Sequence, residues 1–459
     1  MLTGPSKTLM LKTISGEFIS FPPLSRSYPT ITELSSQLSF LNFKDKSGLD
    51  TVHLSARYES YSYKGILEVN DDTNSVFNYI TGLNNYNTTN KDIDSGYIEK
   101  LLTLFNLNHL SKKWINSLSN GQLRRARIAK SLMSKPKMLV IDDPFLGLDP
   151  SNTDKVSDAL SKVNDHLNIA IVLGLRVQDD VPKWIKNVAY VDEEGLKDYK
   201  GKKEITTNKP TKLSPIDNNS HKKPIHIEFT NARVAYKDLV IFHDFDWKIP
   251  KGTKWRIVGD NGTGKTTLLS LITADHPQSW KSVLKINDKV RKTGSGITFF
   301  DVNNQIGMSS PELHALVPQH NKTMLDIIYN GLVPNIGNSN YIFKPNEKID
   351  KLGILDKFKD RILANGNTEF VNLNMTDQKL ALFLRALIKN PEILILDEAF
   401  SCMEDSDVME RCHKLLLDDK FKDLTILSIG HIDWELPKYD YMIKLVGDED
   451  RNYEIYKVD

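Results

Sequence analysis

Cysteine is nearly absent from this sequence: Cys402 and Cys412 are the only two in 459 residues. That excludes a disulfide framework, leaves no Cys/His spacing for zinc, and points to a reducing, intracellular compartment. Long apolar runs are missing as well. None approaches the roughly 20 residues needed to cross a bilayer, so no direct membrane insertion is expected and any membrane role falls to a separate protein. Nor does one sign of charge dominate. Sixty basic against fifty-nine acidic side chains leave a net charge of +1, so nothing global argues for a polyanion and no nucleic acid is favoured as partner. What remains, 40% hydrophobic and 26% charged residues, is ordinary for a globular protein, in a chain too long for one ordinary core. Two domains are expected. The opening MLTGPSKTLMLKT carries Lys7 and Lys12 with no acid before Glu17, a pattern weakly like a mitochondrial presequence. Cytoplasm and mitochondrion both stay open.

The octapeptide Gly259-Asp260-Asn261-Gly262-Thr263-Gly264-Lys265-Thr266 fits G-x-x-x-x-G-K-[ST], after the apolar-rich TKWRIV and before LLSLI. Strand, glycine loop and helix in that order make a phosphate-binding loop. Successive backbone N–H groups curl into an anion nest, the helix N-terminus adds its dipole, Lys265 reaches the outer phosphates, and Thr266 is placed for magnesium, with Thr267 beside it. A nucleoside triphosphate is the expected ligand, with ATP and Mg2+ as the cofactor set.

The sequence also repeats itself. Leu373 begins LNMTDQKLALFLRALIKNPEILILDE and Leu118 begins LSNGQLRRARIAKSLMSKPKMLVIDD, an offset of 255 residues, and each reaches its first Asp 24 residues later, at Asp397 and Asp142. Lys7-Thr8 likewise sits 258 residues before Lys265-Thr266. One domain is used twice. The runs MLVID and ILILD are short, continuous and apolar, as expected of parallel strands buried on both faces, so the fold class is α/β: two tandem P-loop domains, each a mostly parallel sheet with flanking helices and a helical subdomain. The expected boundaries are 1–196 for a degenerate first domain, 197–224 for a linker and 225–459 for the second domain. The linker carries eight lysines with Asn, Ser and Pro, and reads as flexible and solvated.

LSNGQ (Leu118–Gln122), MLVIDD, and LGLD at Leu146–Asp149 resemble the signature, Walker B and D-loop motifs of ABC ATPases. With the phosphate loop, the resemblance covers the chain as tandem nucleotide-binding domains without transmembrane segments. It resembles ModF-type ATP-binding proteins and uncharacterised fungal relatives; the ModF-type phosphate-loop helix is likewise followed by a segment like Ala274-Asp-His-Pro-Gln278. The resemblance implies an intramolecular head-to-tail pairing in which ATP lies between one domain's phosphate loop and the other's signature.

On that pattern, the second domain's loop with the first domain's signature makes one complete site. Asp397 and Thr266 would hold magnesium, Glu398 would act as general base, and His431 would sense the γ-phosphate. Ser119, Gly121 and Gln122 would meet the nucleotide from the signature. Tyr236, 23 residues before Gly259, resembles the aromatic that stacks on adenine. One departure is IGMSSPELH, Ile306–His314, which offers Pro311 or Glu312 where the Q-loop glutamine is expected. The reciprocal site looks ruined. Gly4 and Lys7 are separated by two residues where the intact loop has five, and Pro5 has no N–H to donate. Asp143 replaces the glutamate, withdrawing the carboxylate by roughly 1 Å, a misplacement that can cost about 10²-fold. Leu175 and Arg176 occupy the histidine region. In the opposing signature Met375 stands for a glycine, and Asp377 is expected to oppose each phosphate charge by roughly 3 kcal/mol at about 6 Å and an effective dielectric near 20. Only Met1-Leu-Thr3 precede Gly4. A gene that begins upstream, or a remnant domain held up by the second, are the two readings of a missing central strand.

The leading expectation is an ABC-type ATPase with one composite hydrolytic site, working through an unknown protein partner, of which a membrane transporter subunit is one class. The alternatives are an ABC-F-like translation or nucleic-acid-associated ATPase, against which the short proline-punctuated linker counts, and a nucleotide-gated scaffold that does not hydrolyse.

Overall fold

Continuous apolar runs form buried central strands in both halves of the chain. The computed structural model describes residues 1–459 except 5, 23–24, 44–73, 84–93, 178, 193, 200, 202–211, 218–222, 237–238, 261, 282, 319, 335–344, 346, 448–451 and 459. It divides into two units, Met1–Ile205 and Thr206–Asp459.

The first unit is built on β1 (Leu2–Thr3), α1 (Lys7–Ser15), β2 (Leu38–Asn42), α2 (Asn120–Leu132), β3 (Met138–Asp142), α3 (Pro150–Leu167), β4 (Ala170–Gly174), β5 (Ala189–Asp192) and β6 (Gly195–Asp198). Its sheet runs β2-β3-β4-β1-β5-β6. β1 through β5 are parallel, and only β5–β6 is antiparallel. The central strand is therefore present, as a stub. Leu2 pairs with Gly174 on one side and Ala189 on the other. Leu175 N–H donates to the Leu2 carbonyl and Ala189 N–H to that of Met1, so backbone groups on the inner edges of β4 and β5 find partners on these few residues. One core lies over the helical face, around Ile98, Leu101, Phe105, Ile128, Leu139 and Leu160.

The second unit repeats the order, with a six-residue central strand where the first has two residues. Its elements are β7 (Leu213–Pro215), β8 (Ile225–Tyr236), β9 (Leu239–Pro250), β10 (Lys254–Gly259), α4 (Lys265–Thr273), β11 (Val283–Ile286), β12 (Lys289–Arg291), β13 (Ile306–Ser309), α5 (Pro311–Ala315), α6 (Met375–Ile388), β14 (Ile393–Asp397), β15 (Thr425–Ile429), β16 (Tyr441–Leu445) and β17 (Tyr453–Val458). The main sheet runs β13-β14-β15-β10-β16-β17-β7, and a separate antiparallel sheet runs β12-β11-β8-β9. Among the described residues the first unit has no such second sheet. Ile393, Leu394, Ile395 and Leu396 are at most 1% exposed. At about 1.5–3 kcal/mol for each buried aliphatic side chain, β14 is a rigid support for the carboxylates at its end. Leu268, Leu269, Leu271 and Ile272 of α4 are buried in the same core, and an edge contact of Trp247 with Trp255 at 5.2 Å ties the antiparallel sheet to β10.

The segment 197–224 is not a free tether throughout. Lys197 and Asp198 close β6, and Leu213–Pro215 add antiparallel to β17, with Val458 opposite Leu213. β17 would otherwise expose an unpaired edge, and Pro215 sits on the outermost strand, where a missing N–H costs least.

Candidate functional site

In the second unit the phosphate loop joins β10 to α4. Gly264 caps the helix at φ 99°, and a side chain there would meet Ile241 at 2.6 Å and Phe242 at 2.8 Å. Glycine is required by both the left-handed backbone and the close packing. Thr263 is buried, and its hydroxyl and N–H both donate to the Asp260 carbonyl, at 2.9 and 3.3 Å, closing the loop on itself. Lys265 Nζ donates to the carbonyls of Gly259 at 2.5 Å and Asp260 at 2.9 Å. Gly262 adopts φ 88°, and Thr266 and Thr267 lie in the first turn of α4. Asn261 lies outside the described residues.

At the end of β14, Asp397 is 9% exposed. Burial, then the charges of Glu398 and Glu312, push its carboxyl up to about 7, against the pull of Lys265 and Lys379. Glu398 follows in a left-handed conformation, φ 47°, with its N–H on the Ile429 carbonyl at 2.9 Å. Its Oε1 lies 2.9 Å from His431 Nε2, just beyond β15. Burial would raise the Glu398 carboxyl, but the hydrogen bond and charge of His431, with Lys379 and Lys265, hold it below the usual range. Lys265, Asp397, Glu398 and His431 are thus brought together, with one carboxyl poised near neutrality and its neighbour ionised.

These groups fit magnesium bound with a nucleotide. Among the described residues no three acidic, His or Cys groups converge as a metal cage, whereas Mg2+ is ordinarily held by one or two carboxylates together with substrate phosphates. The chemistry of the donors agrees: a carboxyl raised by burial and then by neighbouring negative charge, and a threonine hydroxyl. In the first unit the matching pair is in direct contact, Thr8 Oγ1 donating to Asp142 Oδ2 at 2.6 Å.

The first unit's phosphate loop is filled from within. Lys7, 3% exposed, donates to Asp142 Oδ1 at 2.7 Å and to Asp143 Oδ2 at 2.8 Å. Only two residues separate it from Gly4, against five between Gly259 and Lys265, and its ammonium lies on the two carboxylates. Arg176, at the histidine position, pairs with Asp179 at 2.8 Å.

The signature of the first unit opens α2. Ser119 forms a capping box with Gln122, the Ser119 N–H donating to Gln122 Oε1 at 3.0 Å. A side chain at Gly121 would press on that of Asn152, whose Oδ1 it would meet at 2.4 Å. In the second unit the equivalent α6 opens at Asn374, and the charge expected at Asp377 is not presented outward. Asp377 is fully buried, accepts from Asn365 at 2.8 Å and Asn374 at 2.9 Å, and pairs with Arg361 at 3.5 Å. Residue 377 is in the first turn of its helix, where the side chain folds back on the cap, so the predicted repulsion of a phosphate is corrected to an internal, compensated charge.

The segment Ile306–His314 forms β13 and most of α5, capped by Ser310. Glu312 is raised by burial and by Asp275, and His314 Nε2 lies 2.7 Å from Gln378 Oε1 on α6. Neither this link nor Lys379, whose Nζ donates to the Glu398 carbonyl at 3.1 Å, was legible from motifs. The 255-residue repeat register, which aligns Lys379 with Arg124, was the available signal. Tyr236 ends β8, paired across the hairpin with Leu239, and its side chain lies outside the described set.

The family model described as "ABC transporter" matches residues 38–146 and 242–401. An uncharacterised ABC transporter ATP-binding protein of Saccharomyces cerevisiae is 35% identical over 97% of this chain and 90% of its own length. The ABC transporter ATP-binding protein ModF of Escherichia coli is 31% identical over 65% of this chain and 63% of its own. Among solved structures, a chain of ribosome-bound archaeal Pelota and ABCE1 superposes with a TM-score of 0.61 at 14% identity, over 99% of this chain and 74% of that one. An RNase-L inhibitor chain gives 0.54 at 16% identity, over 99% and 85%. At these identities the likeness is one of fold.

Proposed function

Since the chain belongs to the ABC transporter family of ATP-binding proteins, we propose that it binds and hydrolyses ATP at a single site, built on the second unit and completed by the first unit's LSNGQ signature. The observation that carries this reading is the contrast between the two lysines. Lys7 is held by Asp142 and Asp143, whereas Lys265 donates to two loop carbonyls, contacts that phosphate oxygens can take over.

The roles follow from the geometry. Thr266 and Asp397 would hold magnesium, which supplies charge neutralisation of the phosphates. The Glu398 carboxylate, kept ionised beside His431, accepts a proton from the attacking water. His431 fixes that carboxylate through the 2.9 Å contact. Ser119 and Gly121 bring the N-terminal end of α2, with its dipole, to the γ-phosphate. Turnover is delivered to a protein partner, transport through a membrane subunit being the class that the family makes most natural; fold alone does not fix it. The likeness to the ribosome-bound chain rests on fold and adds no separate reading.

The test is ATP turnover by the full chain carrying Glu398→Gln or Ser119→Arg. Both abolish it on this reading. Turnover that survives Ser119→Arg while Glu398→Gln removes it would mean the first unit does not complete the site, and turnover untouched by Glu398→Gln would leave only a nucleotide-gated scaffold.

A further inference from the structure

The geometry points to Lys379 as a positioning residue for Glu398: its buried ammonium holds the Glu398 carbonyl and so fixes the left-handed turn that aims the carboxylate at His431. The inference rests on the reading of Glu398 as general base.

Lys379 lies one turn into α6, 4% exposed, and its Nζ donates to the Glu398 carbonyl oxygen at 3.1 Å. The same carbonyl accepts from the Ser401 hydroxyl at 2.9 Å and the Ser401 N–H at 3.2 Å. Three donors on one oxygen define a turn that a non-glycine residue does not adopt by preference, φ 47°. The Glu398 N–H is fixed from the other side by the Ile429 carbonyl. With both ends of the residue held, the side chain leaves from a fixed backbone and reaches His431.

The first unit repeats the device with a different cation. Arg124, 255 residues earlier, donates to the carbonyls of Pro144 at 2.8 Å and Asp143 at 3.4 Å, and Asp143 shares the left-handed backbone at φ 51°. A charge at this helix position is therefore aimed at the turn beyond the buried strand, not at nucleotide. Lys379 has it although its own helix opens on LNMTD, a sequence that has lost the signature glycine. Burying an ammonium is unfavourable unless it is hydrogen-bonded and faces negative charge. Here the carbonyl supplies the first, and Asp397 with Glu398 the second.

The test uses the full chain with Lys379→Met and Lys379→Arg. In Lys379→Met, kcat is expected to fall about tenfold or more while KM and ATP affinity stay within about twofold, the signature of a group that acts on the reacting geometry rather than on binding. Lys379→Arg is expected to restore kcat to within about threefold, because arginine performs the same contact at position 124. In parallel, amide hydrogen exchange at residues 398–401 is expected to quicken in the Met variant and return to the wild-type rate in the Arg variant. Unchanged kcat in Lys379→Met, equal loss in both variants, or unchanged exchange overturns the assignment. The exchange measurement decides the question even if the wild-type chain turns over no ATP, an outcome that would sink the reading of Glu398 as base but not the hold on its backbone.

Discussion

Lys7 donates to Asp142 at 2.7 Å, while its counterpart Lys265 donates to the Gly259 and Asp260 carbonyls. The two copies of one ancestral loop have separated into a filled site and an available one. In the first, a side chain supplies the cation that the strand-end carboxylates need. In the second, burial and the charges of Glu398 and Glu312 outweigh the pull of Lys265 and Lys379 and leave Asp397 pushed up to about 7.

Lys7→Met is expected to destabilise the first unit by about 3–5 kcal/mol, the usual consequence of leaving buried carboxylates without their partner, and to leave ATP affinity unchanged. Denaturant unfolding followed by a probe confined to the first unit measures the first effect, since two units need not unfold in one step. A loss of ATP binding in this variant would place nucleotide in the first unit.

The pH dependence of binding has a definite sign. A carboxyl raised in the folded state favours the empty protein when protonated, and that contribution is present at low pH and lost as pH rises through the folded value, here about 7. Magnesium with nucleotide must expel this proton, so affinity should fall by up to tenfold per unit below about pH 7 and level off above it. Calorimetry in buffers of different ionisation enthalpy should detect proton release near neutrality. Affinity that does not change between pH 6 and about 8 would mean Asp397 is already ionised when empty.

Removing His431 should act on the base as well as on the phosphate. Its hydrogen bond and charge lower the Glu398 carboxyl, so in His431→Ala that carboxyl rises and the acidic limb of the kcat profile moves to higher pH. A profile that keeps its acidic limb, with only its height reduced, would confine His431 to contact with the substrate.

Asp377→Asn should not restore nucleotide binding to the first unit, because the charge is already turned inward to Arg361, Asn365 and Asn374. It should instead lower the stability of the second unit by about 1–3 kcal/mol, as expected when a buried acceptor loses a charged partner. A second nucleotide equivalent in this variant would show that the charge faces the phosphate after all.

What the sequence made legible was whatever depends on local pattern. The runs ILILD and MLVID predicted buried parallel strands because a strand whose sheet is covered on both faces has no polar face, and GDNGTGKT predicted a strand-to-helix loop because its glycines permit the backbone the loop needs. Position-by-position repetition placed Asp142 against Asp397. Features set by chain closure were not legible. Whether the shortened loop at Gly4 lets Lys7 reach both Asp142 and Asp143 depends on a distance of a few ångströms that spacing does not give. Asp377 was expected to face a ligand because of its place in a motif, but its rotamer is decided by the cap at Asn374 and by Arg361 from a different element. Leu213–Pro215 carry no strand signal beyond Leu213 and are recruited by the open edge of β17.

The most direct test of the account is the stoichiometry of magnesium–ATP binding to the full chain by equilibrium titration, repeated with Lys265→Ala and with Lys7→Met. One equivalent is expected, abolished by Lys265→Ala and retained by Lys7→Met. Two comparable equivalents, or one that survives Lys265→Ala and disappears with Lys7→Met, would contradict it.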